Sequence, residues 1–427
     1  MTSSIAISAD IVVIGAGHAG MQLADSLRSE GFTGTIALFD QQPGVPYQRP
    51  PLSKEFMAAD PQVIDASAVH GVMLRGSAFF TEKDIGFFNG RAVASIDRAT
   101  HQLTLEDGSH VGYGRLVFAT GATNRPLSVP GSDLDGVVGL KTLHDAGKLR
   151  ERLRRSERVV VIGAGFIGLE FASVARSSGC SVTVIEFNER PMKRALSATT
   201  GNYFAAAHRA MGINLFLGEA VESILGNGTV VNSVRTASGK TIPADLVVVG
   251  VGVAPAAGLA QAAGLVIDNG IRVDAMLATS DPDIFAIGDC ASYPIAATGD
   301  RVRLESVQNA TEHARALARV LCGRGTGYDA VPWFWSVQGG IRLQIAGLTA
   351  EGDVEVLLGS PASAQFSVLL FRSDRLVAVE SINRAADHVA ARRILASGAA
   401  CGPLSVADAT APDFNLKEFS RLVRVGG

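Results

Sequence analysis

Cysteine is scarce in this chain. The four residues, Cys180, Cys290, Cys322 and Cys401, are scattered over 427 positions with no C-x-x-C pair. That spacing excludes a disulfide framework and the usual cysteine metal sites, and it suits a reducing cytoplasm. Charge is sparse too, at 19% of residues with a formal net charge of -3. No Lys/Arg run is long enough for nucleic acid, which excludes that class of partner. The densest basic cluster, Arg152, Arg154, Arg155 and Arg158, precedes an apolar strand and reads as a solvated helix end. Membrane spans are also missing: the uncharged stretch 246–267 contains Gly250, Gly252, Pro255, Gly258 and Gly264, so it reads as a buried strand followed by loops. The N-terminus lacks a basic region and a small-residue cleavage site, so a soluble cytoplasmic protein is expected.

What the chain does have is apolar residues, 47% of the total, and 47 glycines. This balance suits α/β domains with tight turns and close backbone–ligand approach. At about 100–200 residues per domain, two or three domains are expected.

The β-branched run 11–14 leads directly into Gly15-Ala16-Gly17-His18-Ala19-Gly20, then a helical segment 21–29, then an apolar strand 35–39 ending at Asp40. Strand, glycine-rich turn, helix, strand, acid is the context a dinucleotide fingerprint requires. Gly15 permits the tight turn, Gly17 lets backbone approach the pyrophosphate, and Gly20 lets the helix pack close to the sheet. The helix N-terminus stabilises phosphate charge, and the acid accepts from ribose hydroxyls. The pattern recurs: the run 159–162, then Gly163-Ala164-Gly165-Phe166-Ile167-Gly168, a helix 169–177, a strand 181–185 and Glu186. Two complete copies imply two dinucleotides, and a flavin enzyme needs one site for FAD and one for a nicotinamide. Glu186 favours a free 2′-hydroxyl and repels a 2′-phosphate, and no arginine follows until Arg190, so NADH is expected over NADPH.

Three further segments carry a family resemblance. Ala119-Thr120-Gly121 closes one apolar strand, and Ile287-Gly288-Asp289 closes another. Both resemble the ATG and GD motifs of glutathione-reductase-like flavoproteins. The third segment, Pro46-Tyr47-Gln48-Arg49-Pro50-Pro51-Leu52-Ser53-Lys54, resembles the FAD-dependent NADH:ferredoxin reductases of bacterial cytochrome P450 and aromatic-ring dioxygenase systems. Segments 303–310 and 332–336 resemble the same family, the latter holding both tryptophans of the chain, Trp333 and Trp335.

The resemblance implies two Rossmann-like dinucleotide-binding domains plus a smaller α+β C-terminal domain. FAD would be held by 1–115 and 249–330, NAD by 116–248, and 331–427 would form the C-terminal domain. It assigns Asp289 to the FAD ribityl chain, with Gly288 allowing close approach, and places Arg49 and Lys54 along the FAD. Lys54 would pair with Glu170 where the nicotinamide enters, and these two are the catalytic candidates. Trp335 would lie near the exposed side of the flavin. Val93, Ala119, Thr120, Gly121, Arg125, Gly252 and Val307 complete the expected cofactor contacts. No metal is expected. Three departures stand out. Gln42 occupies the place of the family's ribose-binding Glu, with Asp40 a substitute from a shifted position. Val337-Gln338 stands where Asp-Gln is usual, and Ala256 where Asn is usual.

The implied chemistry is hydride transfer from NADH to the flavin, then release of single electrons to a small acidic [2Fe–2S] ferredoxin. Arg301, Arg303, Arg315 and Arg342 would dock that partner, and the enzyme would be a monomer or homodimer. Two other readings remain. A thiol-based relative is disfavoured because residues 41–60 contain no cysteine. A flavoprotein redox sensor of the apoptosis-inducing-factor type, or a reductase of another acceptor, would differ in turnover with one-electron acceptors.

Overall fold

The computed structural model describes residues 7–58, 71–295, 299–397 and 404–422. Cys401 and the N-terminal residues read for a leader lie outside them. The chain forms two compact units, Met1–Gln48 with Val63–Thr123 and Val253–Ala330, and Arg49–Gln62 with Asn124–Gly252 and Val331–Gly427.

The first unit is built on a sheet whose parallel part runs Ile85–Asn89, Ile36–Asp40, Ile7–Ile14 and His110–Phe118. Val12, Val13, Leu38, Phe39, Val117 and Phe118 are wholly buried. Such continuous apolar runs are what a parallel strand covered on both faces requires. His110–Phe118 changes neighbours along its length: its first half pairs antiparallel with Gln102–Leu105, and its second half pairs parallel with Ile284–Ala286. The boundary expected at 115/116 would cut this strand. Hydrogen bonding on both sides keeps it whole, and the chain crosses between units after Thr123 and returns at Val253.

The second unit repeats the plan. Its five-stranded parallel sheet runs Asn214–Leu217, Ser181–Glu186, Arg158–Ile162, Leu246–Val249 and Val137–Gly139. The stretch 246–267 begins as one of these strands. The same unit contains an antiparallel sheet in the order Trp333–Gln338, Ile341–Gly347, Arg375–Ile382, Gln365–Arg372, Val354–Ser360. Helix Ala385–Ala396 packs against that sheet, and Leu369, Phe371, Val379 and Ala391 form its own core. Segment 331–427 therefore has a domain's core yet groups with the second unit. Hydrogen bonds explain the grouping: Glu380, buried on Arg375–Ile382, accepts from Ser197 N at 2.7 Å and Ser197 Oγ at 2.6 Å, and Glu355 accepts from Ala198 N at 2.9 Å. Among the described residues, no helix is long and apolar enough to cross a membrane.

Candidate functional site

Each glycine loop is shaped by contacts that only glycine permits. Gly15 has φ +108°, and a Cβ there would lie 2.3 Å from Ala119 O; at Gly20 it would lie 1.9 Å from Gly15 O. The second loop matches: Gly163 has φ +103°, with Gly250 O 2.4 Å from a Cβ, and Gly168 would meet Gly163 O at 2.3 Å. At Gly17 and Gly165, by contrast, nothing lies within 4 Å of a Cβ. The outer glycines thus fold the turn against its sheet, while the middle one faces open space.

The two helices that follow, His18–Ser29 and Phe166–Ser177, have no side-chain cap and no acid in the first turn. Elsewhere, helices Leu143–Leu153, Ala198–Ala210 and Val307–Leu321 are capped by Thr142, Ser197 and Ser306. An uncapped helix end over an open glycine is a cradle for an anion, because backbone amides and the helix dipole point the same way. These cradles fit the pyrophosphate of a dinucleotide.

The acid closing each second strand grips its own loop. Asp40 Oδ2 accepts from Ala16 N at 2.9 Å and Oδ1 from Gln42 N at 2.8 Å. Glu186 Oε2 accepts from Ala164 N at 2.6 Å, and Oε1 accepts from Asn188 N at 2.9 Å and Asn188 Nδ2 at 2.6 Å. Gln42 is half-buried and accepts from Tyr47 Oη at 2.5 Å. Arg190 is committed to the backbone, donating to Leu196 O at 2.6 Å and Ser197 O at 3.3 Å.

Within the second unit, Lys54 and Glu170 meet. Lys54 Nζ lies 3.0 Å from Glu170 Oε1, with side chains 15% and 6% exposed. Two hydroxyls that sequence reasoning did not single out complete the carboxylate's shell: Ser53 Oγ donates at 2.7 Å and Ser336 Oγ at 2.6 Å. Ser336 accepts from Gln338 Nε2 at 3.2 Å, and Gln338 Oε1 lies 2.8 Å from Nε2 of buried His208. Burial holds the His208 imidazole below its ordinary range, partly offset by the Gln338 bond. Period-two alternation was the available signal, since it puts Ser336 and Gln338 on the strand face opposite Trp335.

The remaining candidates are dispersed. Thr120 Oγ1 donates to Ala256 O at 2.8 Å, and Arg125 N donates to Gly252 O at 3.0 Å. Gly121 and Gly252 adopt φ of +69° and +99°. Arg49 donates to Lys141 O at 2.7 Å. Trp335 is half-buried with its ring centroid 5.4 Å from that of Trp333. His18, Val93, Phe166 and Val307 are half-buried, Ala19 and Ala119 are buried, and Ile167 is 45% exposed. Gly288, φ +72°, turns the chain into half-buried Asp289, and its amide donates to His313 Nδ1 at 3.2 Å.

Two expected docking arginines are turned inward. Arg301 donates to Val273 O at 2.6 Å, and Arg303 pairs with Glu305 at 2.6 Å with its side chain 7% exposed. Their terminal nitrogens bond backbone carbonyls and a nearby acid, while Nε of each is buried without a hydrogen-bond partner. Arg315 and Arg342 are exposed. The thiols of Cys290 and Cys180 are pushed up by burial, which disfavours the thiolate that thiol chemistry requires. No group of His, Cys, Asp and Glu suited to a metal occurs among the described residues.

Residues 9–314 match the family described as pyridine nucleotide-disulphide oxidoreductase, and residues 333–420 match the reductase C-terminal family. Rhodocoxin reductase of Rhodococcus erythropolis is 47% identical over 407 residues, covering 95% of this chain and 93% of that protein. The crystal structure of the ferredoxin reductase for the CYP199A2 system from Rhodopseudomonas palustris superposes with a TM-score of 0.91 at 44% identity, covering 96% and 100%. The covalent putidaredoxin reductase–putidaredoxin complex gives a TM-score of 0.91 at 34% identity, covering 97% and 99%.

Proposed function

The chain belongs to the pyridine nucleotide-disulphide oxidoreductase family, and from that premise we propose that it oxidises NADH through FAD and passes single electrons to a [2Fe–2S] ferredoxin serving a P450 or ring-hydroxylating oxygenase. The observation that carries this reading is the doubled glycine loop, each copy gripped by its own acid and each opening an uncapped helix end. FAD, when bound, accepts hydride from a reduced nicotinamide and can give up its electrons one at a time, as a one-electron partner requires.

In this reading the loop Gly15–Gly20 and Asp40 hold FAD, with Gln42, Arg49, Val93, the turn 119–121, Gly288, Asp289 and Val307 as further contacts. The FAD domain, implied by the resemblance as 1–115 and 249–330, would run on to the crossover at 123 and resume at 253, and the NAD domain, implied as 116–248, would be the segment between. The loop Gly163–Gly168 and Glu186 hold NADH, with Arg125 and Gly252 beside them. Glu186 supports NADH over NADPH because a carboxylate repels a 2′-phosphate, and Arg190 is spent on backbone carbonyls. Lys54 and Glu170 are the catalytic pair: Ser53, Ser336 and Lys54 orient the carboxylate, and Glu170 in turn fixes the ammonium. By the family resemblance, Trp335 would lie near the exposed side of the flavin. No acid–base step is needed, so orientation and exclusion of water are the protein's share.

The partner is a ferredoxin with an acidic surface, drawn by exposed cations such as Arg315 and Arg342. The putidaredoxin complex and the named reductases support that class of partner. Cytoplasmic residence fits the free thiols of Cys180, Cys290 and Cys322. Anaerobic stopped-flow mixing tests the reading: NADH is expected to bleach the flavin faster than NADPH, and cytochrome c reduction is expected to require an added ferredoxin. A flavin that NADH does not bleach, or a ferredoxin that adds nothing, would remove the corresponding step.

A further inference from the structure

In a row of buried polar side chains, each hydrogen bond has a direction that the neighbours must decide, because no bulk water supplies a missing donor or acceptor. The second unit contains such a row. His208, Gln338 and Ser336 are wholly buried, and Glu170 nearly so. His208 Nε2 lies 2.8 Å from Gln338 Oε1, Gln338 Nε2 lies 3.2 Å from Ser336 Oγ, and Ser336 Oγ lies 2.6 Å from Glu170 Oε1. A hydroxyl, an amide and a neutral imidazole can each point either way along a row of this kind.

Met192 breaks the tie. Its Sδ lies 3.5 Å from Gln338 Nε2, and a thioether accepts weakly but has no proton to give, so it matches the amide nitrogen and not the oxygen. Gln338 Oε1 then faces His208, and an oxygen only accepts, so the imidazole proton sits on Nε2. A proton on Nδ1 instead would be an orphaned donor, since that nitrogen is buried without a hydrogen-bond partner, and Nε2 would turn a lone pair on the Gln338 oxygen. Burial holds the ring below its ordinary pKa range, so it carries one proton and no charge. At the other end of the row, Ser336 Oγ receives the Gln338 N–H, which leaves its single proton for Glu170. Every bond therefore points at the carboxylate. With the amide reversed, Gln338 would take the Ser336 proton, and Glu170 Oε1 would face a hydroxyl lone pair. That same oxygen lies 3.0 Å from Lys54 Nζ, so its loss of a donor would disturb the pair. The ring is held in place from both sides: Phe204, one turn back on helix Ala198–Ala210, has its centroid 6.3 Å away, and Ser197 at the head of that helix donates to Glu380.

We propose that His208 and Gln338 are positioning residues for hydride transfer: the Nε2–H tautomer of His208 fixes the Gln338 amide, and the amide aims the Ser336 hydroxyl at Glu170, holding the Lys54–Glu170 pair in one arrangement. The inference rests on reading Lys54 and Glu170 as the catalytic pair. Neither positioning residue touches a cofactor in this scheme; both act through Ser336.

NMR of the FAD-loaded protein with labelled histidine ring nitrogens reads the tautomer, the His208 signals being those lost in His208→Gln. One proton, on Nε2, is expected at neutral pH; a proton on Nδ1, or on both nitrogens, overturns the proposal. Stopped-flow flavin reduction at saturating NADH reads the consequence. His208→Leu removes the donor and is expected to slow reduction about tenfold, the scale of one hydrogen bond to a charged group, with the KM for NADH unchanged. His208→Gln is expected to stay within about threefold of wild type, because its amide offers an N–H where Nε2–H stood. In a Ser336→Ala background the row is already cut, so His208→Leu is expected to add no further slowing. A His208 that merely supports the fold would slow both backgrounds alike, and that result overturns the proposal. Should His208→Leu fail to fold, Gln338→Met, which keeps the shape of the side chain, makes the same comparison, and a wild-type rate in it overturns the proposal. Slow reduction in Glu170→Gln beside a wild-type rate in His208→Leu overturns the proposal alone. A wild-type rate in Glu170→Gln overturns the reading of the catalytic pair, and the proposal with it.

Discussion

Glu170 is a carboxylate with almost no access to water, and it is held by one ammonium and two hydroxyls. Removing the ammonium leaves the charge with neutral donors alone, and breaking a buried pair on one side typically costs about 3 kcal/mol or more. Lys54→Met is therefore expected to lower stability by roughly that amount, read from urea midpoints. Adding Glu170→Gln should recover much of the loss, since the neutral amide no longer carries an unpaired charge. The second residue-scale prediction concerns Glu186. Its oxygens already accept from Ala164 and Asn188, so the carboxylate is fixed in place before any ligand arrives. Glu186→Ala should raise the KM for NADH and narrow the preference over NADPH by roughly tenfold, the scale of one charge-assisted hydrogen bond. Steady-state kinetics with both donors checks it, and an unchanged preference would rule out the ribose role. At this scale the sequence disclosed acids and glycines, because their types and spacing carry the chemistry. Alternation put Ser336 and Gln338 on one strand face, but their links to Glu170 and His208, and that of Ser53, were not legible, since a side chain's partner depends on which element is folded next to it.

At the scale of elements, the strand–loop–helix unit stands or falls with its glycines. In Gly163→Ala a Cβ would sit 2.4 Å from Gly250 O at φ +103°, so the second loop cannot keep its shape. The first loop lies in the other unit and is untouched. The variant should therefore retain its flavin absorbance while losing NADH-dependent bleaching, which one spectrum before and after NADH decides. A second element-scale prediction comes from His313 on helix Val307–Leu321. The ring is fully buried and its Nδ1 accepts from Gly288 N, supporting the turn that carries Asp289. Burial pushes its pKa from 6.5 down to about 3. The unfolded chain then binds the extra proton across that window while the folded one does not, so stability rises with pH there. Stability contributed by this group is whole above about 6.5, falls as the pH drops, and levels off near 3. His388, pushed down to about 4 mainly by burial and further by Arg392, acts in the same direction. Urea midpoints between pH 7 and 4 should fall, and the fall should shrink in His313→Gln, which keeps an acceptor for Gly288 without the proton.

For the whole molecule, the consequence of two dinucleotide-binding sheets in one chain is that reduction and delivery are separable half-reactions. The stopped-flow experiment should show NADH bleaching the flavin with no ferredoxin present, and cytochrome c reduction only once ferredoxin is added. The sequence by itself determined the duplicated dinucleotide plan, because the glycine spacing and the apolar runs are local and leave a parallel strand–turn–helix few alternatives. It also placed the acids, and through the segments 46–54 and 284–289 it pointed to the family. Tertiary structure alone decided the rest. Which half of His110–Phe118 pairs with which strand set the crossover at 123, beyond the 115 that the resemblance implied. A distant acceptor, Val273 O, holds Arg301, and donors 117 and 166 residues away close the Glu170 shell. These are contacts between residues far apart in the chain, and they are fixed by how sheets and helices pack, which no local spacing encodes.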